Sequence, residues 1–125
     1  MKKITGILVN PTDGTVEKTT ITKSLDSYYT ALGCSYIDIV SRRIGDHHVE
    51  IICDDEGLLT ENPRPSATDA KGRPCLYGSL FICAFDGVDD VTSLSDDVIA
   101  DILAHHVRTV FGYYGTWSVI YPCNY

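Results

Sequence analysis

Apolar and polar residues alternate along several short stretches of this chain, which is the pattern of β-strands that bury one face. The first two stretches cover residues 4–9 and 15–22, and Asn-Pro-Thr-Asp-Gly separates them at residues 10–14. These residue types favour tight turns because of their backbone preferences and local side-chain hydrogen bonds. The pattern therefore predicts an N-terminal β-hairpin within residues 1–22.

Two other segments space their apolar residues as a helix does, three or four positions apart. In residues 24–33, Ser24 is suited to the N-cap and Gly33 to the C-terminal stop. The apolar face of this helix comprises Leu25, Tyr28, Tyr29 and Leu32. A second helix begins after Ser95, where two aspartates complement the helix dipole. Its predicted buried stripe comprises Val98, Ile99, Ile102, Leu103, His106 and Val107.

Three further strands are predicted. Residues 36–44 and 47–53 alternate on either side of Gly45 and Asp46, as in a second hairpin. Residues 76–85 form the most apolar run and predict a central strand, in which Gly78 indicates a bulge or a close backbone approach.

Residues 54–75 contain several prolines and glycines and predict a long loop of the kind that carries function.

This order of elements predicts a single α+β domain over residues 1–125, which ends in an aromatic segment at residues 110–125. We expect a mostly antiparallel sheet of about five or six strands, with two helices packed on one face.

Composition narrows the function. The chain has 125 residues and a net charge of −7, which disfavours non-specific binding to nucleic acid and to anionic membranes. No run of residues is apolar enough to span a membrane, so we expect a cytoplasmic protein. Five cysteines without a Cys-X-X-Cys pair predict buried or half-buried free thiols rather than disulfides or a zinc site.

The consecutive acids Asp54, Asp55 and Glu56 suggest a calcium site or a catalytic carboxylate pair at first sight. Three neighbouring acids on an extended chain do not point the same way, however, so a turn at the end of a strand is favoured. In that interpretation Leu58 and Leu59 return to the core.

The four histidines occur as two adjacent pairs, at 47–48 and 105–106. Adjacent side chains diverge on both strands and helices, so neither pair chelates a metal by itself. A site that takes one histidine from each pair stays open, but ordinary surface histidines are favoured. Because motifs for a nucleophile elbow or a phosphate loop are also absent, we predict no metal, no cofactor and no enzymatic activity.

Arginines and aromatic residues near the predicted loop and the C-terminus are the candidate ligand-binding groups. Guanidinium groups suit bidentate contacts to phosphate, an asparagine amide can form a directional hydrogen bond, and aromatic rings can stack on a base. The predicted ligand-binding residues are Asn62, Arg64, Arg73, Arg42, Arg43, Tyr114 and Trp117.

Several consecutive stretches form a recognisable set: GCSYIDIVSRRI, VEIICDDEGLLTENP, YGSLFICAFDG and SLSDDVI. Together they resemble a small family of unknown-function domains that is common in bacteriophages, prophages and mobile elements. The resemblance runs from about residue 4 to residue 105, and its shared positions are Gly33, Asp55, Glu56, Gly57, Leu58, Asn62 and Gly78. It implies a phage or mobile-element origin and supplies no chemistry.

Small proteins encoded by phages often counter host defence, and we extend this role to the present chain by analogy with proteins from the same genomic setting. We therefore expect a homo-oligomeric, non-catalytic protein that sequesters a phosphate-bearing immune signal of the ADP-ribose or cyclic nucleotide type in the bacterial cytoplasm. The alternative is an acidic inhibitor that covers a basic surface of a host nuclease or restriction subunit. Its acidic patch would comprise Asp86, Asp89, Asp90, Asp96, Asp97 and Asp101.

Overall fold

The computed structural model describes residues 2–60, 63–88, 90–112 and 115–125. Over these residues the chain forms eleven strands and two helices. They are β1 Lys3–Asn10, β2 Thr15–Thr22, α1 Leu25–Leu32, β3 Ile37–Ile44, β4 His47–Asp54, β5 Pro65–Thr68, β6 Pro74–Tyr77, β7 Leu80–Phe85, β8 Val91–Thr92, α2 Asp96–His105, β9 Val107–Gly112, β10 Gly115–Ile120 and β11 Cys123–Asn124. Neither helix has the length and hydrophobicity that a membrane span requires, and this holds for the described residues only.

The strands form two sheets. The larger sheet has the order β11-β3-β4-β7-β1-β2, and β8 extends it by pairing with the end of β7. The smaller sheet has the order β6-β5-β10-β9, in which β5 and β10 are parallel and the other pairs are antiparallel. The predicted α+β class with mostly antiparallel strands is confirmed, but two sheets replace the single sheet of about five or six strands expected for such a domain.

Local sequence signals are accurate at the predicted turns and caps. Strands β1 and β2 pair from Lys3 with Thr22 to Asn10 with Thr15, as the N-terminal hairpin requires. The Ser24 hydroxyl accepts the amide proton of Ser27, and the Ser95 hydroxyl accepts that of Val98. Ser24 and Ser95 therefore cap the two helices, as expected from the sequence.

The predicted loop over residues 54–75 contains β5 and the start of β6, so that prediction is wrong for residues 65–68 and 74–75. Pro65 and Pro74 each occupy the first position of a strand, where the missing amide proton is tolerated. Prolines that suggested a loop thus begin two short strands.

The predicted central strand over residues 76–85 is interrupted at Gly78. Strand β6 ends at Tyr77 in the smaller sheet, and β7 begins at Leu80 in the middle of the larger one. Gly78 has a φ of +79°, and a Cβ there would lie 3.1 Å from the Cα of Gly57. The close backbone approach expected from this glycine is confirmed, and it lets the chain pass from one sheet to the other.

The two helices cover opposite faces of the larger sheet. In β7, Leu80 and Ile82 pack in a core cluster with α2 and with residues of the smaller sheet, such as Ile120. Phe81 and Cys83 point the other way and pack in a second cluster with α1. The expectation that both helices lie on one face is therefore wrong, because β7 is an uninterrupted apolar strand that is buried on both faces.

Candidate functional site

The tight β3–β4 hairpin sets the register of the candidate site. Its turn is formed by Gly45, with a φ of +58°, and Asp46. Strand pairing places Arg43 directly opposite His48, and Ser41 directly opposite Glu50. Because the side chains of directly paired residues share one face of a sheet, Arg43 and His48 are immediate neighbours.

A groove of about 420 Å³ lies beside this pair. It is lined by Ser41, Arg42, Arg43, His48, Val49, Glu50, Ala84, Phe85 and Tyr125. In β4, Glu50 and His48 share the face of Ile52, which packs in the cluster with α1. Helix α1 covers part of that face, and the groove lies on the part that carries polar residues.

Several polar groups in the groove are held by neighbours. The Ser41 hydroxyl donates a hydrogen bond to Glu50 Oε1 at 2.6 Å. Arg42 Nη1 donates to the carbonyl oxygen of Ser41 at 2.8 Å, and its Cζ lies 4.2 Å from the ring centroid of Tyr125. Within the described part of the chain, the buried Nε of Arg42 has no hydrogen-bond partner. The groove thus contains an ordered carboxylate and the Arg42 guanidinium group, whose Nε, unpartnered among the described residues, is buried.

Two exposed aromatic rings border these charged groups. Phe85 is 50% exposed and Tyr125 is 90% exposed, although both are large side chains that gain from burial. Their rings offer apolar surface next to Arg43 and His48. Chemically, this arrangement suits a ligand that combines an anionic group with a planar ring.

The structure brings two other predicted ligand-binding residues together, but away from this groove. The Cζ of Arg64 lies 5.5 Å from the ring of Trp117, and its Nη1 donates to the carbonyl oxygens of Pro11 and Thr12 at 3.2 and 3.4 Å. Trp117 Nε1 donates to the carbonyl oxygen of Pro65 at 2.8 Å. These contacts connect the N-terminal hairpin turn with the smaller sheet.

Arg73 lies in the β5–β6 hairpin, where its Nε donates to Asp69 Oδ2 at 3.0 Å. Hydrogen bonds from the Arg73 and Lys71 amides, together with the guanidinium group, hold the pKa of the Asp69 carboxyl below its usual value. The remaining predicted residues, Asn62 and Tyr114, lie outside the described residues. Of the predicted set, Arg42 and Arg43 are the members that line the groove.

The three consecutive acids form a turn, as expected. Asp54 ends β4, and its Oδ1 accepts the amide proton of Glu56 at 2.9 Å. Leu58 and Leu59 do not return to the core, however, because they are 59% and 76% exposed. The turn continues through these positions instead of starting a buried strand.

All five cysteines are free thiols, and each is buried or half-buried as predicted. Burial raises the pKa of Cys53 to about 11 and that of Cys83 to about 12. Both thiols are protonated near neutral pH, which fits an inert packing role.

Sequence reasoning missed His48, Glu50, Phe85 and Tyr125 as groove residues. The first two could have been found from the hairpin, because the Gly45–Asp46 turn fixes which residues of β3 and β4 are opposite. Tyr125 carries no such local signal. It reaches Arg42 because β11 pairs with β3, which lies about eighty residues earlier in the chain.

Comparison with known proteins gives one match. Searches of curated proteins and of solved structures found no match to this chain. The family model described as a domain of unknown function, DUF3846, matches residues 2–106, from the N-terminal hairpin through α2. The match agrees with the uncharacterised family that the sequence motifs indicated, and the chain belongs to this DUF3846 family.

Proposed function

We propose that this domain is a non-catalytic binding protein that holds a small phosphate-bearing ligand in the groove beside Arg43 and His48. The observation that carries the proposal is the direct pairing of these two residues next to the exposed rings of Phe85 and Tyr125. ADP-ribose-type compounds and cyclic nucleotides combine phosphate with a planar base, so they match both features of the groove.

The charges in the groove support an anionic ligand. The chain as a whole carries a net charge of −7, so an anion needs a local group of cations to overcome the general repulsion. Arg43 is exposed and Arg42 is half-buried, and a guanidinium group binds phosphate oxygens in a bidentate manner. Glu50, which is oriented by Ser41, offers a second oxygen to a sugar hydroxyl.

The size of the groove also fits. Its volume of about 420 Å³ lies within the range of ligand pockets, which is roughly 300–1,000 Å³. The outer side is open, and Tyr125 at its border is 90% exposed. As part of the same proposal, a second copy of the chain covers this side, which would make the protein a homo-oligomer.

The biological setting of the proposal comes from the sequence resemblance. A phage or mobile-element protein that holds an immune nucleotide without cleaving it would act as a counter-defence factor in the bacterial cytoplasm. This part of the proposal is an analogy with other small phage proteins, and the groove supports only its chemistry.

The acidic-inhibitor alternative has weaker support. Lys23 Nζ lies 2.7 Å from Asp90, Lys18 Nζ lies 3.3 Å from Asp96, and His47 Nε2 lies 2.6 Å from Asp101. Asp89 lies outside the described residues. Because basic side chains already contact these acids, the proposed patch presents less free negative charge to a basic partner than its sequence suggests.

A ligand panel tests the proposal. The purified chain is incubated with ADP-ribose, cyclic mononucleotides and cyclic dinucleotides, freed of unbound compound, and then denatured by heat. We expect at least one compound to be retained and to be released chemically intact. Retention of none of them, or release of a cleaved product, would contradict a binding protein without catalysis.

A further inference from the structure

A cluster of metal-binding side chains lies on the opposite face of the β3–β4 hairpin from the groove. His47 begins β4, Asp101 lies in α2, and His106 directly follows α2. One possible ligand atom from each residue lies within 4.8 Å of the other two. His47 Nε2 is 2.6 Å and His106 Nε2 is 3.5 Å from the same oxygen, Asp101 Oδ2.

The two ring nitrogens of His106 face different groups. Its Nδ1 lies 3.2 Å from the carbonyl oxygen of Tyr121, and its Nε2 faces the Asp101 carboxylate. Both ring nitrogens therefore face oxygen acceptors, an arrangement that suits either an imidazolium with two N–H donors or an imidazole that binds a metal ion through one nitrogen. With a metal ion at Nε2, Nδ1–H would donate to the carbonyl oxygen of Tyr121 while the Nε2 lone pair binds the ion.

The backbone around His106 holds the ring in place. Its amide donates to the carbonyl oxygen of Ile102 at 2.8 Å, and its own carbonyl oxygen accepts the amide proton of Tyr121 at 3.0 Å. On the other side the ring lies against Gly45, where a Cβ would be 2.7 Å from Nε2. A metal-ligating histidine is commonly oriented by a backbone carbonyl in this way.

We propose that His47 Nε2, His106 Nε2 and Asp101 Oδ2 bind one divalent transition-metal ion of the Zn²⁺ type. Two imidazoles and one carboxylate are a ligand set of zinc sites that keep a fourth position for water, whereas Mg²⁺ and Ca²⁺ prefer oxygen ligands. The side chains of His47 and Asp101 are 25% and 41% exposed, so the ion and its water have a path from solvent.

Binding requires the three side chains to adjust, since their ligand atoms lie within 4.8 Å of one another. Ligand atoms about 2.0–2.1 Å from a tetrahedral zinc ion lie roughly 3.3 Å apart. The 3.5 Å separation of His106 Nε2 and Asp101 Oδ2 is already close to that value, while the 2.6 Å separation at His47 must widen. His105 also faces the carboxylate, with Nε2 3.9 Å from Oδ1, but its side chain is 69% exposed.

The test measures Zn²⁺ binding to the chelator-treated full chain by titration calorimetry in the presence of a reductant. We expect one ion per chain, with at least about tenfold weaker binding in both Asp101→Asn and His47→Gln, since even an outer-shell partner contributes that much. Asp97→Asn, one turn earlier in α2, and His48→Gln, on the opposite face of β4, are the matched controls. Both controls should bind as the unaltered chain does.

The free cysteines require a second readout, because thiolates also bind Zn²⁺. A Co²⁺-loaded chain should show the visible bands of a tetrahedral nitrogen and oxygen site without thiolate charge-transfer absorption, and Cys75→Ser should leave them unchanged. The proposal is overturned if the unaltered chain binds no Zn²⁺, if Asp101→Asn and His47→Gln bind it normally, or if thiolate absorption dominates. Circular dichroism of the metal-free variants confirms that each one is folded.

Discussion

Gly45 lies directly against the imidazole of His106, so that a Cβ on this glycine would be 2.6 Å from Cε1 of the ring. The glycine has a φ of +58° and turns the chain between β3 and β4. Gly45 therefore closes the β3–β4 hairpin and also leaves room for the His106 ring, which connects the hairpin to α2.

Replacing this glycine should destabilise the fold by two separable effects. We expect Gly45→Ala to lower the free energy of unfolding by roughly 2–4 kcal/mol, from backbone strain and from the clash with His106. Gly14→Ala is the control, because Gly14 has a φ of +73° but a Cβ there meets nothing within 4 Å. Gly14→Ala should lower the free energy of unfolding by about 1 kcal/mol, from backbone strain alone. Equal losses in urea denaturation would contradict the packing of His106 on Gly45.

Arg64 and Trp117 should contribute to stability rather than to ligand binding. Trp117→Phe removes the hydrogen bond to Pro65 and weakens the contact with Arg64. We therefore expect it to lower the free energy of unfolding by about 1–3 kcal/mol. Arg64→Gln should lower the free energy of unfolding by about 1 kcal/mol and should bind the ligand as tightly as the unaltered chain does. Urea denaturation followed by circular dichroism measures both variants. A stable Arg64→Gln variant with reduced ligand affinity would return Arg64 to the binding site.

The cysteines should differ in reactivity towards a thiol reagent at mildly alkaline pH. The hydrogen bond with Cys123 lowers the pKa of the half-buried Cys75, while burial raises the pKa of Cys34. Cys53 and Cys83 are buried and have pKa values of about 11 and 12. We expect Cys75 to react first and the last two only after unfolding, so Cys75→Ser should abolish the fastest phase. A fast phase that persists in this variant would contradict the order.

The Asp69 carboxylate should make stability depend on pH. Its pKa is lowered, mainly by the hydrogen bond from the Arg73 amide, so the native state favours the charged form. This contribution is present above the ordinary aspartate pKa of about 4 and is lost as the pH falls through the lower native-state value. At pH 7 the urea midpoint of Asp69→Asn should therefore be lower than that of the unaltered chain. In acid the two midpoints should become equal. Asp46→Asn, in another hairpin turn, should show less separation at pH 7.

Parts of this fold follow from local sequence, and others depend on distant pairing. The Ser24 and Ser95 caps and the two hairpins were predictable because their signals lie within a few residues. The face of the sheet on which each helix packs could not be predicted, since β7 is apolar on both faces and its pattern does not distinguish them. His47 and Asp101 are 54 positions apart, so their contact depends on how α2 packs on the sheet.

The location of the ligand tests the proposed function most directly. Backbone amide chemical shifts of isotopically labelled protein can be recorded during titration with ADP-ribose and with the compound best retained from the panel. We predict saturable shifts concentrated at Arg43, His48 and Phe85, with an affinity that falls at least about tenfold in Arg43→Gln and is unchanged in Arg108→Gln, an exposed arginine of β9. Shifts confined to residues 64–73 and Trp117, or no saturable shifts with any compound, would contradict binding in this groove.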